Sequence, residues 1–441
     1  MIIQLIILLI LTFFFLVLLA YVHTYKDHLI QKYYTYKKNK EEKSKQNLSN
    51  KTGIFKTIKN YFTNDYIVYS KPKFNKEKTF TVLSYNILSQ KYLHKTVKEN
   101  KFLEKKIRLD NIVSEIKQIN PEIFCLQEAM DDIIKSHIKK YFAKDYTIIH
   151  YDNEGSSLIN VIGVKKDRFE VINESRVNIC DDKIKNILNN QNYNENNEKD
   201  VEENNYEFYE NKIHVTGNRG IINVCIKDKL VKNKIINLFC VHFPWKPIFE
   251  YQKARIMGLI FDLILRKKIS NVIIAGDFNS VPNSIVLRMV YYQDWEAEMT
   301  QNKEYIGNFI HNKKEKDLIQ ETLDKIDKRE NFEKMINYLM KLSKEIWDKY
   351  KLRSAYDRYR NEVRSEKFGF LRNHPKYTNY TNKFIDTIDY IFYSKSLVNL
   401  KILKIPEVER DRSDKKENWF LPNDKYPSDH LKLVANFEYK L

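Results

Sequence analysis

Apolar positions along this chain change character twice, and each change marks a different kind of element. Between Ile2 and Val22 seventeen residues are Leu, Ile, Phe or Val, and no Asp, Glu, Lys or Arg occurs from Met1 to Tyr25. These twenty-one residues, rising about 1.5 Å each in a helix, cover roughly 32 Å, the thickness of a hydrocarbon core. At about −0.3 to −0.6 kcal/mol per such side chain, insertion is favourable by several kcal/mol. The run therefore predicts a transmembrane anchor over residues 1–25. A cleaved signal peptide is the competing assignment, but the run lacks a basic start, exceeds the usual apolar length and shows no clear small-x-small site near Ala20.

Residues 26–75 are polar, basic and poorly periodic, which predicts a tether with room for a short helix near residues 55–62. Lys26, Lys32, Lys37, Lys38, Lys40, Lys43 and Lys45 follow the anchor directly. The positive-inside rule puts such a flank in the cytosol, and its charge holds it near anionic lipid. The expected arrangement is a single-pass membrane protein whose remaining chain faces the cytosol at an organelle surface, with the secretory lumen as the alternative.

From Phe80 onward strands alternate with helices. Phe80, Thr81, Val82 and Leu83 read as a strand, and Ile107, Leu109, Ile112, Val113 and Ile116 form one helical apolar face that stops at Asn120-Pro121. Ile123 to Leu126 reads as a second strand, followed by further β runs at residues 235–241, 272–275, 387–393 and 431–437. Residues 186–205, rich in Asn and Glu, predict a disordered surface insertion. Residues 304–351 carry helical spacing at Ile319, Leu323, Ile326, Met335, Ile336, Leu339, Met340 and Leu342, which predicts a pair of scaffold helices. The chain thus divides into an anchor (1–25), a tether (26–75) and a catalytic domain (76–441) with insertions at about 181–212 and 300–351.

The length of 441 residues allows a large buried core. A formal charge of +18 points to an anionic partner, nucleic acid or a membrane surface, without choosing between them. Cys125, Cys180, Cys225 and Cys240 form no C-x-x-C pair, and three lie in apolar runs, as buried free thiols in a reducing compartment do.

Candidate chemistry sits at the ends of the apolar runs. Ser84-Tyr85-Asn86, Leu126-Gln127-Glu128, Gly276-Asp277-Phe278-Asn279, Ile388-Asp389-Tyr390 and Ser428-Asp429-His430 each deliver a carboxylate, amide or imidazole. A sheet that gathered them would suit phosphodiester hydrolysis, which needs a base for water, a sink for charge on the phosphate oxygens, and help for the departing alkoxide. Glu128 offers a hard oxygen ligand for Mg²⁺, with Mn²⁺ as the alternative, and Asn86 can position that carboxylate or join the metal shell through its amide oxygen. Asp277 is the candidate base. Asn279, two residues on and on the same side of an extended segment, can hold the water or a phosphate oxygen. His430 can donate to a phosphate oxygen if a carboxylate keeps it cationic, and Asp389 is the carboxylate assigned to it. Asp429 is a second metal position, and His242 meets the scissile phosphate from the opposite wall.

Taken in order, these motifs resemble the endonuclease/exonuclease/phosphatase superfamily over roughly residues 80–441. The longer stretches 84–89, 276–284, 352–356, 377–381, 388–394 and 427–431 resemble its branch of carbon catabolite repressor, nocturnin, Angel and 2′-phosphodiesterase proteins. That resemblance implies an α/β (α+β) fold, a four-layered sandwich of two packed sheets flanked by helices. It also implies Mg²⁺-dependent 3′-to-5′ removal of nucleotides from poly(A), with RNA as partner. The Glu matching Glu128 binds metal, the Asp and Asn matching Asp277 and Asn279 handle the nucleophile, and the His matching His430 contacts phosphate. An adenine is sandwiched at the positions of Pro247 and Phe384, although Phe384 could equally pack a sheet edge.

The chain departs from the branch in three places. No leucine-rich repeat precedes residue 76, and Cys240-Val241-His242-Phe243 replaces Asn-Thr-His-Leu. Ile385-Asp386 follows Phe384 where the branch often has Lys-Gly. These changes bear on substrate choice, and the alternative function is a membrane-anchored, sphingomyelinase-like lipid phosphodiesterase.

Overall fold

A computed structural model describes residues 66–70, 78–96, 104–150, 158–177, 221–245, 250–292, 332–359, 374–407, 420–423 and 425–440. The apolar run at 1–25, most of the tether, the stretch 186–205 and Pro247 lie outside the described residues. Among the described residues no helix is long and apolar enough to cross a membrane.

The unit spanning residues 67–441 is built on two mixed sheets. In chain order the strands are β1 (Tyr66–Val68), β2 (Thr79–Asn86), β3 (Ile123–Ala129), β4 (Tyr146–His150), β5 (Ile159–Lys165), β6 (Phe169–Val177), β7 (Ile221–Asp228) and β8 (Ile235–His242). They continue with β9 (Asn271–Asp277), β10 (Arg353–Ser354), β11 (Asn379–Tyr380), β12 (Ile385–Asp386), β13 (Asp389–Tyr393), β14 (Leu397–Leu403) and β15 (Leu433–Tyr439). One sheet has the order β1-β14-β15-β2-β3-β5-β4, the other β10-β13-β9-β8-β7-β6, and β11 pairs with β12 in a hairpin of its own. Each large sheet holds a parallel pair, β2 with β3 in one and β8 with β9 in the other. The helices are α1 (Gln90–Thr96), α2 (Lys105–Ile119), α3 (residues 131–142, with a π-helical turn), α4 (Glu250–Lys267), α5 (Ile285–Val290) and α6 (Phe332–Tyr350).

Alternation along the strands explains why both faces of each sheet are apolar. In β8, Ile236, Leu238 and Cys240 enter the core between the sheets, while Phe239 and Val241 face the helical layer. In β9, Ile273 and Ala275 point inward while Val272 and Ile274 point outward. A strand covered on both sides reads as an unbroken apolar run rather than an alternating one. The outer layer on β8 and β9 is supplied by Met257, Ile260, Phe261 and Ile264 of α4, Val286 and Leu287 of α5, and Leu339, Leu342 and Ile346 of α6. On the other sheet, Phe142 of α3 packs edge-on against Phe124 of β3. Each such fully buried side chain stabilises the fold by about 1.5–3 kcal/mol. The result is an α/β sandwich with helices outside both sheets.

The end of α2 falls where the sequence expects it, while other boundaries differ for local reasons. Helix α2 ends at Asn120, which adopts a left-handed conformation just before Pro121. Within it Arg108 is fully buried while Ile107 is only half-buried. Strand β13 begins at Asp389 rather than Thr387 because the Ile388 N–H bonds to the Thr378 hydroxyl. Strand β15 begins at Leu433 because residues 428–432 form the loop that carries His430. Of the expected helix pair, the described residues contain α6, whose apolar face rests on α4 and α5.

Candidate active site

The site grows out of strand register. His242 and Asp277 are partners across the parallel β8–β9 pair, and Asp277 and Asp389 are partners across the antiparallel β9–β13 pair. Three ionisable side chains therefore stand in a row at adjoining strand ends. Asp277 shares the inward phase of Ile273 and Ala275, so the alternation that buries those two aims its carboxylate between the sheets. Gly276 permits this, because its φ is +152° and a Cβ there would collide with the Val241 carbonyl. The opposing sheet contributes Asn86, in phase with Phe80 and Val82 of β2.

Glu128 breaks the phase. In β3 the inward residues are Ile123 and Cys125, so alternation would turn Gln127 toward the other sheet and Glu128 away from it. Gln127 does face inward, donating to Cys240 Sγ at 3.4 Å. Glu128 reaches the site because the β3–β5 register shifts between Leu126 and Ala129 and its own φ is +62°. A bulge of this kind re-aims a side chain at a local backbone cost.

The polar contacts tie both sheets to one centre. Asn86 Nδ2 donates to Asp277 Oδ2 at 3.0 Å and to Glu128 Oε1 at 3.2 Å. Its Oδ1 accepts from the Leu88 N–H at 3.0 Å, so the amide oxygen faces the backbone rather than the site. Glu128 Oε2 accepts from the Ser89 N–H at 3.0 Å. His242 Nε2 lies 3.6 Å from Asp277 Oδ2 and 3.8 Å from Glu128 Oε1. His430 Nδ1 lies 2.8 Å from Asp389 Oδ2, and its Nε2 stands 3.8 Å from Asp277 Oδ2 and 4.0 Å from Asp429 Oδ1. The structure thus brings Asn86, Glu128, His242, Asp277, Asp389, Asp429 and His430 together.

Asn279 differs from the expectation. Its φ is +47°, not extended, and its Nδ2 donates to the Phe243 carbonyl at 3.0 Å. Its backbone N–H instead holds Asp277 Oδ1 at 2.8 Å. Phe384 is 43% exposed. It follows Lys383 in the turn of the β11–β12 hairpin, whose Tyr380 N–H bonds to the Asp429 carbonyl.

Burial and mutual repulsion set the charge states. Burial, with Asp389 beside it, pushes the Asp277 carboxyl up to about 7 despite His430, the Asn279 N–H and Asn86. Burial also pushes Asp429 up to about 6 against the pull of His430. Burial opposes charge on His430, but Asp389, Asp429 and Asp277 together raise the imidazole well above its ordinary value. Hard carboxylate oxygens crowded into one buried centre form a donor set that fits a divalent cation. Among the described residues, Asp277, Asp389 and His430 each bring a ligand atom within 4.8 Å of the others.

Two supporting residues escaped the sequence reading. Arg108 sends Nη1 to the Ile87 and Pro427 carbonyls and Nη2 to the Leu88 carbonyl and Gln90 Oε1, joining the loops after Asn86 and before His430. Lys253 of α4 is 1% exposed and donates to the Asn279 carbonyl at 2.5 Å. The available signal for Arg108 was a cation set beside the apolar stripe of α2.

Residues 83–430 match the family model described as Endonuclease/Exonuclease/phosphatase family. The Saccharomyces cerevisiae CCR4-Not complex 3′-5′-exoribonuclease subunit Ccr4 is 23% identical over 398 residues, 82% of this chain and 39% of that protein. The Arabidopsis thaliana carbon catabolite repressor protein 4 homolog 4 is 25% identical over 383 residues, covering 82% of this chain and 78% of its own length. This chain therefore spans about two fifths of the yeast relative's length. Among solved structures, ANGEL2, a 2′,3′-cyclic phosphatase with bound adenosine-2′,3′-vanadate, superposes with a TM-score of 0.56 at 18% identity, covering 85% of this chain and 98% of its own. The human Nocturnin catalytic domain with bound sulfate gives 0.50 at 16% identity, covering 86% and 98%.

Proposed function

The chain belongs to the endonuclease/exonuclease/phosphatase family, and from that membership we propose that it is a divalent-metal-dependent phosphodiester hydrolase, a 3′-to-5′ exoribonuclease of the poly(A) deadenylase type. The observation that carries this reading is the meeting of Asp277 Oδ2 with Asn86, His242 and His430 at 3.0, 3.6 and 3.8 Å. A base, an amide that orients it and two imidazoles surround one point of attack.

Asp277 serves as the base. Held near neutrality, it is anionic often enough to take a proton and basic enough to do so usefully. The Asn279 N–H fixes one of its oxygens and Asn86 the other, so the proton leaves the attacking water toward a defined lone pair. His430, kept cationic by its carboxylate neighbours, donates from Nε2 to a phosphate oxygen as negative charge grows there. His242 lines the opposite side of Asp277. Glu128, with Asp429 as the second carboxylate, would hold Mg²⁺ or alternatively Mn²⁺, and the bound ion would supply positive charge to the phosphate. An imidazole protonated on both nitrogens has no lone pair to give a metal, which favours this set over the grouping that includes His430.

Phe384, exposed on a hairpin bonded to the Asp429 backbone, supports stacking of a nucleobase beside the site, with Pro247 as its expected counterpart. The net charge of +18 fits an anionic partner, RNA or anionic lipid alike. The apolar run at 1–25 and the lysines after it support a membrane-anchored chain with this domain in the cytosol.

The test is a side-by-side assay of the full-length chain, in detergent with Mg²⁺, on adenosine-tailed RNA, on RNA ending in a 2′,3′-cyclic phosphate, and on sphingomyelin. Stepwise shortening of the tail from its 3′ end is expected. Turnover of sphingomyelin with the RNA left intact would select the lipid phosphodiesterase.

A further inference from the structure

We propose that Thr378 is a positioning residue that locks Asp389 as a hydrogen-bond acceptor and thereby fixes a proton on His430 Nδ1. This rests on the phosphodiesterase reading of the site and adds a residue to it.

A hydroxyl has two lone pairs and one proton. At Thr378 both lone pairs are taken, because the Ile388 and Asp389 N–H groups each donate to Oγ1 at 3.0 Å. The single remaining proton points to Asp389 Oδ2, 2.6 Å away. The side chain is fully buried, so no water competes for any of these bonds. Donor direction at Thr378 is therefore fixed by saturation, not by chance of rotamer.

The consequence passes to His430. The oxygen that receives the Thr378 proton is the one 2.8 Å from His430 Nδ1. A hydrogen bond received from Thr378 favours the anionic form of Asp389, and an anionic carboxylate oxygen only accepts, so the proton between it and the imidazole belongs on Nδ1. Nε2 then faces Asp277 and Asp429 at 3.8 and 4.0 Å. Thr378 also holds the loop itself. Its carbonyl accepts from the Leu431 N–H at 2.7 Å, and the neighbouring Asn379 bridges to His430. One residue thus ties the carboxylate to its backbone and the imidazole to its loop.

The test uses the full-length chain. In the wild type, proton NMR with histidine-selective ¹⁵N labelling should show a slowly exchanging His430 Nδ1–H and a slowly exchanging Thr378 hydroxyl proton. Thr378→Val deletes the hydroxyl and should lose the protected Nδ1–H, while Thr378→Ser should keep it. On adenosine-tailed RNA, Thr378→Val should lower kcat on the order of 10–100-fold, as loss of an outer-shell partner does, with KM unchanged and activity restored in Thr378→Ser. Rapid exchange of the wild-type Thr378 hydroxyl overturns the proposal even if Thr378→Val does not fold. So does a folded Thr378→Val that retains the Nδ1–H and wild-type kcat. A wild-type chain that shows both protons yet cleaves no phosphodiester would overturn the functional reading instead, while bearing out the lock.

Discussion

Asp277 is kept where a charged carboxylate is disfavoured, and this gives the metal-free protein a pH signature. Folded Asp277 and Asp429 retain protons up to about 7 and about 6, whereas the unfolded chain releases them near 3.8. The folded state binds more protons in that window, so its stability is greatest below the window and is lost as pH rises through the folded values. His430, also raised, acts in the same direction, its contribution fading as pH rises past its folded value. Thermal unfolding in EDTA should therefore fall in midpoint between about pH 5 and pH 8. Asp277→Asn should flatten that slope and raise the midpoint at neutral pH, while lowering turnover by about 10²-fold or more. A variant that loses stability at neutral pH would show that Asp277 is held in a favourable charge environment after all.

Elements decide which side chains meet. Gly276 lets β9 lie against β8 with Asp277 still pointing between the sheets, so Gly276→Ala should destabilise the fold by about 1–3 kcal/mol from backbone strain alone, read by urea unfolding. Arg108→Lys should cost on the order of 3 kcal/mol, because a single ammonium cannot replace bonds to three buried carbonyls from two loops. Strand identity was legible at Ile123 to Leu126 and residues 272–275, where both faces are covered and the strand reads as a continuous apolar run, but β5 and β7, covered just as fully, were not singled out. The site carboxylates and imidazoles were legible because each stands at or just beyond a strand end. Three features were not. Glu128 enters by a bulge that strict alternation does not reveal. Asn279 leaves the extended conformation, so same-side spacing misled. Arg108 looks like a solvated cation on an amphipathic helix until the loops at Ile87 and Pro427 are seen to close over it.

At the scale of the molecule, the inter-sheet core ends in polar residues where the parallel pairs β2–β3 and β8–β9 finish, and the site occupies that edge. Carboxyl ends of parallel strands are where α/β sheets present ligands, which is consistent with a substrate entering from that edge. On the proposed anchoring, the lysine flank keeps the domain in the cytosol, so a glycosylation acceptor inserted after Lys45 should remain unmodified in cells. Modification would place the domain in the secretory lumen. The central claim is that residues from both sheets act together on one phosphodiester bond. Its most direct measurement is release of 5′-AMP from adenosine-tailed RNA by the full-length chain in Mg²⁺, compared with Glu128→Ala and Asp277→Asn purified in the same way. Release by the wild type and none above background from either variant is expected, whereas equal release by all three would contradict the assignment of this site.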